Sequence, residues 1–159
     1  MAEAVEERFI SVAQWYELAQ SGTVLPMRIT LDGDSMRPLI RRGRDLVNIV
    51  PITRELKIGD VVLFEYPKGR YVVHRVRRLA GDRVQTLGDH CWNPDAVMPR
   101  ACVLGLVTYF ERDGKKHTLD SRFARIIGRI WMFFLPLRRL WWKNRSLAGR
   151  VLRKLGLRG

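Results

Sequence analysis

Residues 56–76 read LKIGDVVLFEYPKGRYVVHRV. Two runs rich in β-branched and aromatic residues, VVLFEY (61–66) and RYVVHRV (70–76), flank Pro67-Lys68-Gly69, and Ile58-Gly59-Asp60 precedes the first. Runs this short, bounded by turn formers, are strands of a hairpin rather than turns of helix. The pattern continues outward in VLPMRITL (24–31), DLVNIV (45–50), RVQTLG (83–88) and VLGLVTYF (103–110). Gly81-Asp82 supplies another turn, and Asp113-Gly114 tolerates the positive φ of a tight hairpin turn. The expected fold is mainly β.

Helix is predicted only at the two ends. Ser11 and Gln14 have the spacing of a capping box, and Gly22 suits a helix end, so a short helix is expected from about Val12 to Gln20. Ser121 to Leu135 recurs at helical period. Phe123, Ile127, Ile130 and Phe134 form one stripe, Arg122, Arg125 and Arg129 another, and Pro136 interrupts the helix. A second basic and apolar segment, LRRLWWKNRSLAGRVLRKL, follows at 137–155. These boundaries divide the chain into a helical extension (1–23), a β domain (24–119) and a basic amphipathic tail (120–159).

The 159 residues carry a formal charge of +13, which by itself suggests nucleic acid. The charge is unevenly placed: Ser121 to Gly159 holds eleven Lys/Arg and no acid, and the first 120 residues hold 18 basic and all 16 acidic residues. An anionic partner therefore belongs to the tail. Spanning a bilayer takes about 20 apolar residues. The longest uncharged apolar run, Ile130 to Leu137, has eight and contains Pro136. Trp131, Phe134, Trp141 and Trp142 among cations suit an interfacial segment instead, so the expected partner of residues 122–158 is an anionic membrane surface, ahead of packing on the domain itself or on another protein, and nucleic acid is disfavoured. Cys91 and Cys102 are too few for a disulfide framework, lack zinc-site spacing, and are expected as small buried residues; neither metal nor cofactor is expected. The acidic start, MAEAVEERFI, reads as neither secretory signal nor anchor, giving a cytosolic protein held peripherally at the inner membrane face.

The chemistry-bearing stretch is GDSMRPL (33–39), a serine between a strand-type run and a proline that biases Arg37 toward extended backbone. On the residues alone, Ser35 also reads as a turn serine, and His74, at the parity of Val72 and Val76, as a half-buried strand residue. Three boxes in order, with a strand start between the first two, add to this. GDSMRPL resembles the nucleophile box of signal peptidases and of the self-cleaving repressor and mutagenesis proteins. LKIGDVVLF (56–64) is similar to their Gly-Asp strand start. YVVHRV (71–76) resembles their general-base box, with His where the archaeal, endoplasmic-reticulum and sporulation-type signal peptidases have it. GDHCWNPD (88–95) preserves the third box, two acids six residues apart.

The resemblance implies coiled, partly barrel-shaped antiparallel sheets and a serine endopeptidase acting on a peptide or protein precursor. Ser35 would be the nucleophile, His74 its base and Asp95 the carboxylate orienting His74. Asp89 would be an accessory or structural acid, and Met36 and Pro38 would border the substrate cleft. Gly33 stands where signal peptidases commonly place a serine, which leaves backbone N–H groups at Gly33, Asp34 and Ser35 as oxyanion donors. The alternatives within the same fold are a self-cleaving regulator, disfavoured because about 23 residues before the first strand cannot hold a DNA-binding domain, and a non-catalytic peptide-binding module. Removal of the leader of a modified peptide is a further substrate reading. Asp34 and Asp45 are expected to pair with arginines, and His90 and His117 to lie in solvent-facing loops.

Overall fold

A computed structural model describes residues 11–22, 25–134 and 137. The acidic start, Val24 and the segment 138–159 lie outside the described residues, and with them most of the second tail segment. The elements run α1 (Val12–Gln20), β1 (Met27–Thr30), β2 (Leu46–Pro51), β3 (Val61–Glu65), β4 (Tyr71–Ala80), β5 (Arg83–Leu87), β6 (Met98–Pro99), β7 (Val103–Arg112), β8 (Lys115–Thr118) and α2 (Arg122–Phe133). Every strand pairing is antiparallel. The expected mainly β class, with a short helix before the sheet and a basic helix after it, is what the chain adopts.

One sheet runs in the order β1-β2-β7-β3-β4-β5-β6. β7 is its ten-residue spine. One edge of β7 pairs with β2, while the other is shared by β3 (Val103 to Leu106) and β8 (Tyr109 to Arg112). Register shifts at Asn48/Ile49, Leu63/Phe64 and Val76/Arg78 insert extra residues, which increase twist and curl the sheet into a half-barrel. Curling explains the run VVLF in β3, which lacks the polar alternation of a one-sided strand. Val61 and Leu63 enter one apolar cluster with Trp15, Met27, Ile49 and Val73, and Val62 and Phe64 enter another with Leu56, Val76, Val84 and Leu106. Both faces of β3 are therefore core.

α1 starts with the expected capping box, Ser11 N–H donating to Gln14 Oε1 at 2.9 Å and Gln14 N–H to Ser11 Oγ at 3.2 Å. Its Trp15 is inserted into the first cluster and donates through Nε1 to the Leu25 carbonyl at 2.8 Å. The seat is at Gly105 of β7, where a Cβ would come within 2.6 Å of Ile49 Cγ2 and 2.8 Å of Trp15 Cη2. The Asp113-Gly114 turn has the expected positive φ values, 51° and 74°. It joins β7 to β8, so His117 is an exposed strand residue stacked on Phe110 at 4.7 Å, not a loop residue. Cys91 and Cys102 are half-buried rather than buried.

α2 departs most from the pattern reading. Its Phe123–Ile127–Ile130–Phe134 stripe is where a surface helix ordinarily meets its core. Here those residues are exposed, and Arg125 and Gly128 are the buried ones.

Candidate active site

The loop between β1 and β2 carries GDSMRPL and is held from beneath. Met36 and Ile40 are fully buried in the first cluster. Turns closed by Arg37 N–H to Asp34 O (3.1 Å) and Ile40 N–H to Met36 O (2.9 Å) leave the Ser35 N–H outside them; the Arg37–Pro38 peptide is cis. At the far end Asp45 accepts from Arg41 N–H at 2.7 Å and from Arg112 Nε at 2.8 Å, while Arg112 Nη2 bonds the Leu39 carbonyl at 2.8 Å. Burial acts to raise Asp45, but Arg112 and Arg41 outweigh it and hold the carboxyl below its ordinary value. The expected pairing of Asp45 with arginine is thus a clamp between the nucleophile loop and the end of β7. Asp34 is exposed, 3.7 Å from Arg37, a weak surface pair.

Successive residues of β4 point to opposite faces of the sheet. His74, in register with Val62, faces the second cluster, where the Phe64 ring lies 6.0 Å from its own. Arg75 faces the other way. The loop Gly88–Asp95 wraps around this strand and engages both. Its last residue, Asp95, takes a 2.7 Å hydrogen bond from His74 Nδ1, and its second, Asp89, takes 2.9 and 2.7 Å bonds from Arg75 Nε and Nη2. Asp95 is fixed in turn by Thr86 Oγ1 (2.6 Å), by its own N–H on the Thr86 carbonyl (2.9 Å), and by Gln85 Nε2 on its carbonyl (3.0 Å). The two acids of the third box thus hold neighbouring residues of one strand from opposite sides.

The imidazole is buried, and its Nε2 has no hydrogen-bond partner among the described residues. What lies around Nε2 is visible from Gly88. A Cβ there would be 2.6 Å from Cys91 Sγ, 2.7 Å from the Ser35 carbonyl oxygen and 2.8 Å from His74 Nε2. The Ser35 backbone, the thiol and the free face of the imidazole therefore converge on one glycine. His90 N–H also donates to the Ser35 carbonyl at 2.8 Å, joining the third box to the nucleophile loop. The same loop region puts Gly33 beside Ser35, whose Oγ is 4.0 Å from where a Gly33 Cβ would sit.

Burial opposes protonation of His74. The Asp95 carboxylate on Nδ1 and the Cys91 sulfur on the other side more than offset it, and the imidazole pKa rises to about 9. Asp95 moves the opposite way. Burial would raise it, but its bond to His74, with Thr86 and Arg70, keeps it below the usual carboxylate value.

Over residues 9–121 the chain matches the family model described as signal peptidase, peptidase S26. It belongs to the S26 signal peptidase family. Membership makes the domain a peptidase, and the match ends where α2 begins. No curated protein matches the sequence.

Within this S26 domain the structure brings Ser35, His74 and Asp95 to one neighbourhood and places Asp89 behind the strand. Met36, expected as a packing residue of the cleft, is wholly buried and anchors the nucleophile loop from beneath. Pro38 is exposed and borders a groove of about 620 Å³ between the loop, β7–β8 and α2. Sequence reasoning passed over Gly88, Thr86, Gln85, Cys91 and Arg75. Thr86 and Gln85 look like ordinary strand residues, and Cys91 like filler, because the contacts that matter are formed across strands.

Gly88→Ala tests this convergence. Its Cβ would meet a backbone oxygen that cannot swing away, so the Ser35 loop or the imidazole must shift. Misplacement of a reacting group by about 1 Å is expected to cost on the order of 10²-fold in kcat/KM. The fold should remain, with an overpacking cost of about 1–3 kcal/mol. Unchanged peptidase activity would show that Gly88 does not set the spacing.

Proposed function

We propose that this S26 peptidase is a serine endopeptidase that cleaves a peptide or protein precursor through a Ser35 acyl-enzyme, with His74 as general base and Asp95 as its orienting partner. The observation that carries the reading is the polarity of His74: one ring nitrogen is tied to a carboxylate, and the other is buried beside the Cys91 thiol and the Ser35 backbone.

Serine is a weak nucleophile at neutral pH and needs a base to take its proton as it attacks. In the proposed sequence the Ser35 Oγ–H proton passes to His74 Nε2 while Oγ bonds to the scissile carbonyl carbon. The carbonyl oxygen becomes an oxyanion facing the backbone N–H of Ser35 and its neighbours Gly33 and Asp34. Collapse breaks the C–N bond, and Nε2–H protonates the leaving amine. A water molecule then gives a proton to the same nitrogen as its oxygen attacks the ester carbon; collapse breaks the ester C–O bond, and Nε2–H returns the proton to Ser35 Oγ. Throughout, Asp95 fixes the tautomer with the proton on Nδ1 and stabilises the imidazolium. The closed path needs neither metal nor cofactor.

An extended precursor segment is the substrate class that this family relationship favours over self-cleavage or peptide binding without turnover. The deciding experiment compares cleavage of candidate precursors by the wild-type chain and Ser35→Ala. Loss of cleavage in the variant, with substrate still trapped by it, supports the assignment. Equal rates would discard it, and cleavage of the chain itself would favour the self-cleaving regulator.

A further inference from the structure

α2 is docked the wrong way round for a helix that serves its own core. Its buried residues are Arg125 and Gly128, with Ala124 and Trp131 partly buried beside them. Gly128 lies on the Arg75 guanidinium so closely that a Cβ would collide with Nη1. Arg125 is buried, 3.6 Å from Asp60 Oδ1 and bonded to the Asp120 carbonyl, with its own backbone oxygen 2.7 Å from where a Gly59 Cβ would be. Arg129 Nε donates to Ile58 O and Trp131 Nε1 to Asp89 O, each at 2.9 Å. These contacts spend the hydrogen-bonding side of the helix on the sheet.

The apolar side is left outward. Phe123, Ile126, Ile127, Ile130, Phe133 and Phe134 recur at spacings of three and four, and their exposures range from 44% to 79%. A contiguous stripe of large apolar side chains on the surface marks an interaction site rather than a solvated face. Two observations select its occupant. From Ser121 onward the sequence has eleven Lys/Arg and no acid, three of them in α2 itself, so the segment that carries the stripe is cationic and suits an anionic partner. Among the described residues, no helix is long and apolar enough to cross a membrane, so the contact lies along an interface. An in-plane amphipathic helix, with aromatic and aliphatic side chains sunk below the headgroups and cations among them, meets both conditions.

We infer that the outward face of α2 binds an anionic lipid surface, holding the peptidase domain on the bilayer by a helix that lies in its plane. The helix is bonded through Trp131 to the third box and rests through Gly128 on Arg75, the strand neighbour of His74. A domain docked this way therefore has its cleavage site at a fixed orientation to the membrane. Pro38 and Leu39, at the end of the nucleophile loop, border the groove beside Phe123 and Ile127, which places that loop next to the lipid-facing side.

The test uses the full chain and vesicles of phosphatidylcholine with and without phosphatidylglycerol, read by co-sedimentation. Binding is expected with the anionic vesicles and to weaken as salt is raised. The exposed quadruple variant Phe123→Ser, Ile127→Ser, Ile130→Ser, Phe133→Ser should lower partitioning at least about tenfold while keeping the wild-type melting temperature. Absent binding would overturn the inference. So would binding that the quadruple variant leaves intact, which would move the contact to the segment beyond residue 137. If the wild-type chain ignores vesicles but forms a dimer that the variant abolishes, the stripe is a contact between copies and the inference fails. None of these readouts depends on Ser35 or His74, so they do not share a fate with the proposed mechanism.

Discussion

His74→Ala is expected to reduce kcat/KM by about 10⁴-fold or more, as completely as Ser35→Ala, because members of a triad act as a unit. Asp95→Asn should fall on the order of 10²–10⁴-fold: the ring stays in place, but the amide cannot stabilise the imidazolium as a carboxylate does. The pH profile separates this role from simple packing. His74 must be neutral to accept a proton, and its pKa is raised to about 9. Activity should therefore climb as pH rises toward about 9, rather than level off near 7. Stability runs in the opposite direction. A raised imidazole pKa favours the folded state fully below the unfolded value of about 6.5, and that contribution is lost as pH passes upward through about 9. Between these limits the domain should gain activity and lose stability together. Asp95→Asn should bring the rising limb toward neutral pH, and Cys91→Ala should shift it the same way with less loss of maximal rate. A rising limb unmoved in both variants, or a His74→Ala enzyme with near-normal turnover, would refute the base assignment.

The second large effect concerns Asp89, which is not near the imidazole but behind it. Asp89 and Arg75 have 2% and 4% of their side-chain surfaces exposed and are joined by two hydrogen bonds, and Arg75 also reaches the Gly59 carbonyl at 2.8 Å. Removing one partner leaves the other charge buried. Asp89→Ala should cost about 3–5 kcal/mol, lowering the melting temperature by on the order of 10 °C. Arg75→Met with Asp89→Leu should lose much less, since no isolated charge remains. Thermal unfolding of the three proteins checks this. A variant Asp89→Ala with wild-type melting temperature and no peptidase activity would instead give Asp89 a direct part in the chemistry. The same pair explains why the third box carries two acids: one secures the loop to the back of β4 so that the other can be held against His74.

Much of this was legible along the chain because local patterns report local physics. Turn formers around VVLFEY and RYVVHRV mark strands wherever those strands end up, and the Ser11–Gln14 box closes within one helical turn. The order of the strands was not legible. β7 lies between β2 and β3, and its second edge is divided between β3 and β8, an arrangement set by bulges and curl rather than by any local run. The helix α2 shows the limit most clearly. Its period was readable, but which stripe faces the sheet depends on Asp60, Asp89 and Arg75 waiting there with polar groups to satisfy.

By itself, then, the sequence determined a β domain with helices at its ends, the candidate residues Ser35, His74 and Asp95, and a cationic tail. The β domain, its helices and the tail follow from side-chain chemistry and short-range periodicity, which are properties of the unfolded chain as much as of the folded one; the three candidate residues follow from the resemblance of their boxes to a known family. Only the tertiary structure decided that Asp95 and Asp89 grip opposite faces of β4, that Cys91 and Gly88 border the imidazole, that Met36 is core, and that the apolar stripe of α2 points outward. Each of these is a matter of which groups are desolvated together, and burial is decided by contacts between segments far apart in sequence, where no local pattern reaches.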